Sequence, residues 1–310
     1  MVIFVNLRQN HLSQNHMISI DPKKAKTSEF HSYMVGAVAP RPIAFASTMD
    51  KEGKPNLSPF SFFNIFSAKP PIAVFSPSRN GRTGATKNTY DNLREVPEVV
   101  INVVNFDLVQ QASLSSTEYP KGVNEFEKAG LTPIPSVMVK PFRVKESPVQ
   151  MECIVKQIIE LGQEGGAGNL IICEIVMMHI RENILDANRN IDPRKIDLVG
   201  RLGANYYSRT SGSALFEVEK PLAKIGIGVD GIPEKIRLSS FLTGNNLGQL
   251  GNVEKLPELV EINAFRKEAL EDIFCKFGSD SDALERELHL KAKEYLDNGE
   301  IQKGWKTLLA

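Results

Sequence analysis

Apolar and polar positions along the chain follow one period up to about residue 215 and another after it. From Ile43 to Thr48 apolar and small polar residues alternate, and Pro40 and Pro42 forbid a helix at the entry, so the pattern predicts a strand. Asp50 to Gly53 then supplies turn residues. Residues 55–66 set Phe60, Phe62, Phe63 and Phe66 among small hydroxyl residues, with Pro59 interrupting any regular ladder, which predicts an irregular strand that bends. The apolar runs 71–75 and 98–104 are too short for helices, and the second is rich in β-branched residues; both predict buried strands. Short helices are expected over 86–94, 107–114 and 124–129, the last closed by Gly130. Two long β-rich runs, 149–161 and 169–179, flank the glycine-rich stretch 162–168. That stretch reads as a hairpin loop, because a strand-like run follows it where a dinucleotide-binding turn needs a helix. Residues 21–33 and 186–201 read as polar connections.

After residue 215 the spacing turns helical. Leu259, Ile262, Leu270, Ile273, Phe274 and Phe277 recur at helical intervals and stop at Gly278, while 281–297 starts on a Ser281 cap and stops before Gly299. The glycines of 244–251 read as loop. The pattern therefore predicts a mainly β body with short helices and a C-terminal helical extension, divided as a loose tail over 1–20, a β domain over 21–213 and the extension over 214–310.

Composition narrows the function classes. Lys+Arg and Asp+Glu both total 37 in 310 residues, so no net field draws the molecule to nucleic acid or to an anionic membrane. Cys153, Cys173 and Cys275 lack metal or redox spacing, and the first two sit in apolar runs, as buried free thiols do in a reducing compartment. No apolar run reaches the length of a membrane span and no signal-peptide pattern opens the chain, so a cytoplasmic protein is expected. His11, His16, His31 and His289 share no ligand spacing, and no metal site is expected.

The densest candidate chemistry lies over residues 76–92, where Ser78, Arg79, Arg82, Thr83 and Lys87 gather around small residues with no carboxylate before Asp91. A strand end opening through Asn80-Gly81 into a helix start presents backbone N–H groups, hydroxyls and cations to one phosphate. A solvated basic loop contains the same residues, and this stretch alone does not separate the two readings.

Three segments together narrow the choice: 41–48, 56–63, and 78–83 with 87–89. They resemble the flavin reductase-like family of FMN-binding split-barrel proteins, which includes flavoredoxin, and the resemblance runs from about Tyr33 to Tyr207. It implies a split β-barrel of Greek-key type with FMN as cofactor. Ser78, Arg79, Lys87 and Thr89 would hold its phosphate. Ser58, Pro59, Phe60, Ser61 and Phe62 would lie along the isoalloxazine ring, and Arg41, Ser47 and Thr48 would reach the ring or the ribityl chain. Core packing is the competing reading for the phenylalanines. His179, at the end of an apolar strand, is either a packed core residue or a catalytic group on the substrate side. The implied activity is transfer of electrons from NADH or NADPH through FMN to a flavin, oxygen or a protein acceptor by a homodimer. The alternative is a flavoredoxin-like electron carrier or a non-catalytic flavin-binding module.

Overall fold

The computed structural model describes residues 17–221 and 225–310; the start of the expected loose tail, before Met17, lies outside them. The chain divides into two compact units, one ending at Phe216 and the other running from Glu217 to Ala310.

The first unit contains, in order, α1 (Thr27–Ala37), β1 (Ala44–Met49), β2 (Pro55–Phe60), β3 (Phe63–Ala68), β4 (Pro71–Phe75), α2 (Asn88–Glu95), β5 (Glu98–Val103), α3 (Val109–Leu114) and α4 (Glu125–Ala129). There follow β6 (Pro133–Ile134), β7 (Arg143–Val144), β8 (Val149–Glu160), β9 (Asn169–Ile180), α5 (Pro193–Ile196), β10 (Val199–Arg201) and β11 (Tyr207–Arg209). Seven strands make one antiparallel sheet in the order β2-β1-β5-β8-β9-β4-β3. β2 and β3 stand at opposite ends of this order, yet only Ser61 and Phe62 separate them in the chain. The sheet must therefore curl until its two ends meet at that dipeptide, and the fold is a split barrel. The bend expected within 55–66 is this seam.

Both faces of the curled sheet are covered, which explains why β1 is buried along nearly its whole length. Ala44 and Ala46 face an inner core with Ala73, Phe75, Val99, Ile101, Ile171 and Cys173, into which α2 inserts Tyr90 and Leu93. Phe45 and Leu57 belong to a second core with Leu108 and Ala112 near α3 and Phe126 and Ala129 of α4. Removing each such large side chain from water contributes about 1.5–3 kcal/mol. Gly130 ends α4 in the left-handed conformation at φ 63°, as its position predicts.

Four local expectations are corrected. Residues 27–37 form a helix within what reads as a polar connection; α1 buries none of its residues and its N-cap position, Lys26, makes no side-chain cap, so it carries neither an apolar stripe nor a start signal. In the second unit the glycines of 244–251 form α7, after the short α6 (Glu234–Arg237). A Thr243–Asn246 capping box and the buried Leu250 hold α7, and Gly251 lies so near the Gly228 backbone that a Cβ would sit 3.0 Å from it. The helical run from Leu259 to Phe277 breaks at the buried Leu270 into α8 (Leu259–Ala269) and α9 (Glu271–Phe277). The cap of α10 (Ser281–Asp297) is Asp280, whose carboxylate accepts from the Asp282 and Ala283 N–H groups. With α11 (Ile301–Leu308), these helices close on Ile236, Leu250, Leu296 and Trp305, whose indole N–H donates to the Leu250 carbonyl at 3.2 Å.

Candidate functional site

The first unit holds a cavity of about 870 Å³ at the barrel seam, within the size range of small-molecule sites. Its lining falls into two clusters. The first is Ser58 to Phe62 from the seam, His31, Ser32 and Val35 from α1, and Arg201, Leu202 and Ala204. The His31 ring meets the Phe62 ring edge-on at 6.2 Å, and Phe60 packs on Phe75 of the inner core at 5.6 Å. Arg41 ties this cluster together. Its guanidinium donates to the carbonyls of Val35 at 2.5 Å, Val38 at 2.7 Å and Leu202 at 3.0 Å, and its Nε reaches the Ser61 hydroxyl at 3.4 Å. Burial, and after it the neighbouring Arg201, lower the Arg41 pKa from its ordinary value.

The second cluster is Ser76, Ser78, Asn80, Thr83 and Ala85 to Asn88, faced by Ser116 to Tyr119. α2 opens here, and its N-cap residue, Lys87, offers no side-chain acceptor to the free N–H groups of the first turn. Asn80 shapes the loop by accepting from the N–H groups of Arg82 and Thr83 at 2.9 and 3.1 Å. Lys87 Nζ lies 2.6 Å from Glu118 Oε1. That hydrogen bond, followed by the Lys87 charge, lowers the Glu118 pKa. The two clusters are joined where the Ser76 N–H donates to the Phe62 carbonyl at 2.9 Å. The Ser76 hydroxyl is buried on the cavity wall without a hydrogen-bond partner. Gly168 makes room for it, since a Cβ there would lie 2.8 Å from that oxygen.

Of the residues singled out from sequence, Arg41, Ser58, Pro59, Phe60, Ser61, Phe62, Ser78 and Lys87 line this cavity. Ser47, Thr48, Thr89, Arg79 and His179 are not among its lining. Thr48 and Thr89 stand behind the wall, where both accept from the Asn56 amide, at 3.3 and 2.9 Å, and Asn56 itself lines the cavity. Ser47 is fully buried and its hydroxyl is unpartnered. Arg79 turns its guanidinium to Glu160 Oε2 at 3.2 Å, Gln163 Oε1 at 2.9 Å and the Gly84 carbonyl at 3.2 Å. It clamps the loop to the β8–β9 hairpin instead of facing the cavity, because Glu160, 81 residues away, pairs with its charge and Gln163, 84 residues away, accepts a further hydrogen bond. His179 Nε2 contacts the fully buried Glu152 at 2.7 Å. Burial pushes the Glu152 carboxyl up, but the Val137 and Met138 N–H groups and His179 outweigh it, and its pKa lies below the ordinary value. The structure thus gives His179 a buried partner and does not bring it to this cavity.

Sequence reasoning missed His31, Glu118 and Glu125. Glu125 lines the cavity with its carboxylate accepting from the Leu57 N–H at 3.1 Å; burial raises its pKa against that bond and one from its own N–H. No local pattern marks these residues, since each arrives from an element distant in sequence. Among the described residues no group of three or more His, Cys, Asp or Glu is arranged to hold a metal ion, and no helix is long and apolar enough to cross a membrane.

The chemistry of the cavity is that of a ligand with a flat ring and an anionic end: aromatic and seam residues on one side, hydroxyls, a lysine and free helix N–H groups on the other. Residues 36–196, more than half of the chain, match the family described as the flavin reductase like domain. An uncharacterized protein of Aquifex aeolicus is 35% identical over 196 residues, which cover 63% of this chain and 97% of that one. Among solved structures, nitrilotriacetate monooxygenase component B from Bacillus cereus superposes with a TM-score of 0.61 at 30% identity, over 66% of this chain and 99% of its own. The 2-nitrobenzoate 2-nitroreductase NbaA of Pseudomonas fluorescens gives 0.58 at 26% identity, over 67% and 100%.

Proposed function

Since this chain belongs to the flavin reductase like family and its role is that of a flavin-related oxidoreductase, we propose that it binds FMN in the seam cavity and passes electrons from NADH or NADPH through it to a flavin, oxygen or a protein acceptor. The observation that carries this reading is the buried, unpartnered Ser76 hydroxyl, which lines the same cavity as the uncapped start of α2 and the seam residues 58–62. A buried hydroxyl without a partner costs about 1–3 kcal/mol, which a phosphate oxygen would relieve. Ser76, Ser78, Thr83, Lys87 and the first N–H groups of α2 then hold the phosphate. Phe60 and Phe62 offer faces to the ring, while Ser58, Ser61 and the seam backbone meet its polar rim. Arg41 fixes Ser61 and α1, and Thr48 and Thr89 fix Asn56. When bound, FMN supplies a ring that accepts hydride and passes electrons on.

We further propose a homodimer and a cytoplasmic location. Strand β3 stands at a sheet end with Ile65 and Phe66 exposed, and α1 lines the cavity yet exposes Tyr33 and Met34; a second copy would cover these groups. The free thiols of Cys153 and Cys173 suit a reducing compartment.

The purified protein should be yellow, or quench the fluorescence of added FMN. Anaerobic mixing with NADH or NADPH should bleach the colour within seconds. Bleaching by dithionite alone would replace the reductase with an electron carrier, and a colourless protein that leaves FMN fluorescence unchanged would remove the flavin reading.

A further inference from the structure

The phosphate side of the cavity already contains an anion. Glu118 places one carboxylate oxygen 2.6 Å from Lys87 Nζ and 3.0 Å from Asn80 Nδ2, and its second oxygen 3.3 Å from the same amide. These are charge-assisted contacts of the kind a phosphate monoester would make with the same two donors. The arrangement is built from both sides. Asn80 is fixed by the Arg82 and Thr83 N–H groups, which donate to its side-chain oxygen and so point its amide nitrogen at Glu118. Ser115, Ser116 and Thr117 each donate a hydroxyl to a carbonyl of α3, which fixes the segment leading to Glu118 on the C-terminal end of that helix. The other cation expected at the phosphate, Arg79, is engaged by Glu160, Gln163 and the Gly84 carbonyl.

Resting on the proposed FMN site, we infer that Glu118 is a specificity-determining residue: an internal carboxylate that occupies the Lys87–Asn80 donors and that a ligand's phosphate must displace. The Glu118 side chain is 58% exposed, so it can swing into water without losing a packed position. A partly exposed ion pair of this kind is cheap to break, so the barrier is one of selection and not of exclusion. A phosphate dianion outcompetes a single carboxylate for two donors, whereas a neutral-ended flavin leaves the pair intact and gains nothing from Lys87. Glu118 thereby lowers affinity for every phosphorylated ligand while leaving unphosphorylated ones untouched.

The test compares the native chain with Glu118→Gln, a loop substitution that keeps the side chain's length, and uses FMN, riboflavin and inorganic phosphate as probes. Glu118→Gln should bind FMN about two- to fivefold more tightly, as release of a partly exposed ion pair allows, with riboflavin unchanged. Inorganic phosphate should raise its melting temperature more than that of the native chain. Lys87→Ala should cost more FMN affinity in the Glu118→Gln background than in the native one, because only there is the ammonium uncompensated. Unchanged or weaker FMN and phosphate binding by Glu118→Gln would overturn the inference, with the flavin reading left standing. If neither chain quenched FMN fluorescence but Glu118→Gln still bound phosphate more tightly, the flavin reading would fall and the internal competitor would stand.

Discussion

The two sides of the cavity are built by different physics. The seam side, residues 58–62 with α1 and residues 201–204, is positioned by backbone and packing: Phe60 leans on Phe75, Arg41 gathers three carbonyls, and the Phe62 carbonyl accepts from Ser76. The loop side, residues 76–88 with 116–119, is positioned by side-chain charges that cancel in pairs, Lys87 with Glu118 and Arg79 with Glu160. A wall fixed by packing has one shape and selects by fit. A wall fixed by cancelled charges has spare donors only when something else takes the counter-charge, so it selects by competition.

The largest effect that bears on this contrast comes from the seam. Phe60→Ala removes a partly buried ring from the inner core and should cost about 2 kcal/mol of stability, below the usual range for a fully buried phenylalanine. Because it deforms the wall and touches no charge, it should weaken FMN and riboflavin by the same factor. Urea unfolding and paired fluorescence titrations measure both. A loss confined to FMN would show that the seam also serves the phosphate, and the division between the two sides would fail.

Ser76→Ala tests the loop side with a smaller change. The hydroxyl is buried and unpartnered, so removing it should leave the free protein as stable as before or slightly more so. FMN should bind about tenfold more weakly, the size of one hydrogen bond to a charged group, with riboflavin unaffected. Equal weakening of the two ligands would move Ser76 from the phosphate to the ring.

What the sequence disclosed divides along the same line. The strands over 44–49, 71–75 and 98–103, the glycine hairpin between β8 and β9, and the seam residues were legible because alternation, β-branching, glycine and proline act locally. The charged side was legible only as an inventory. Arg79 and Lys87 were visible, but their partners Glu160 and Glu118 lie 81 and 31 residues away, and nothing local says which cation stays free. Helix α1 escaped for another reason: with no buried residue of its own it shows no stripe, though it supplies His31 and Val35 to the cavity. Gly244 to Gly251 misled because a capping box and close glycine packing outweigh poor helix propensity there.

The cavity lining also holds two carboxylates, and their pKa values shift in opposite directions. Glu125 is 3% exposed, and burial raises its pKa above 4.5, partly offset by the Leu57 N–H and its own. Its contribution to stability is therefore complete below about pH 4.5 and is lost as pH rises through the raised folded value. Glu118 is the reverse: Lys87 lowers its pKa, so its contribution is present above about pH 4.5 and is lost as pH falls through the lowered value. Glu125→Gln cannot ionise, so its stability relative to the native chain should grow as pH rises from 4.5 and converge with it in acid. Glu118→Gln should instead lose only the acid-side slope. Unfolding midpoints in urea, read at several pH values from about 3.5 to 8 around the ordinary carboxylate range, measure both variants against the native chain. Identical pH profiles for the native chain and Glu125→Gln would mean that water reaches Glu125 at the cavity wall, and that burial against β2 does not set its pKa.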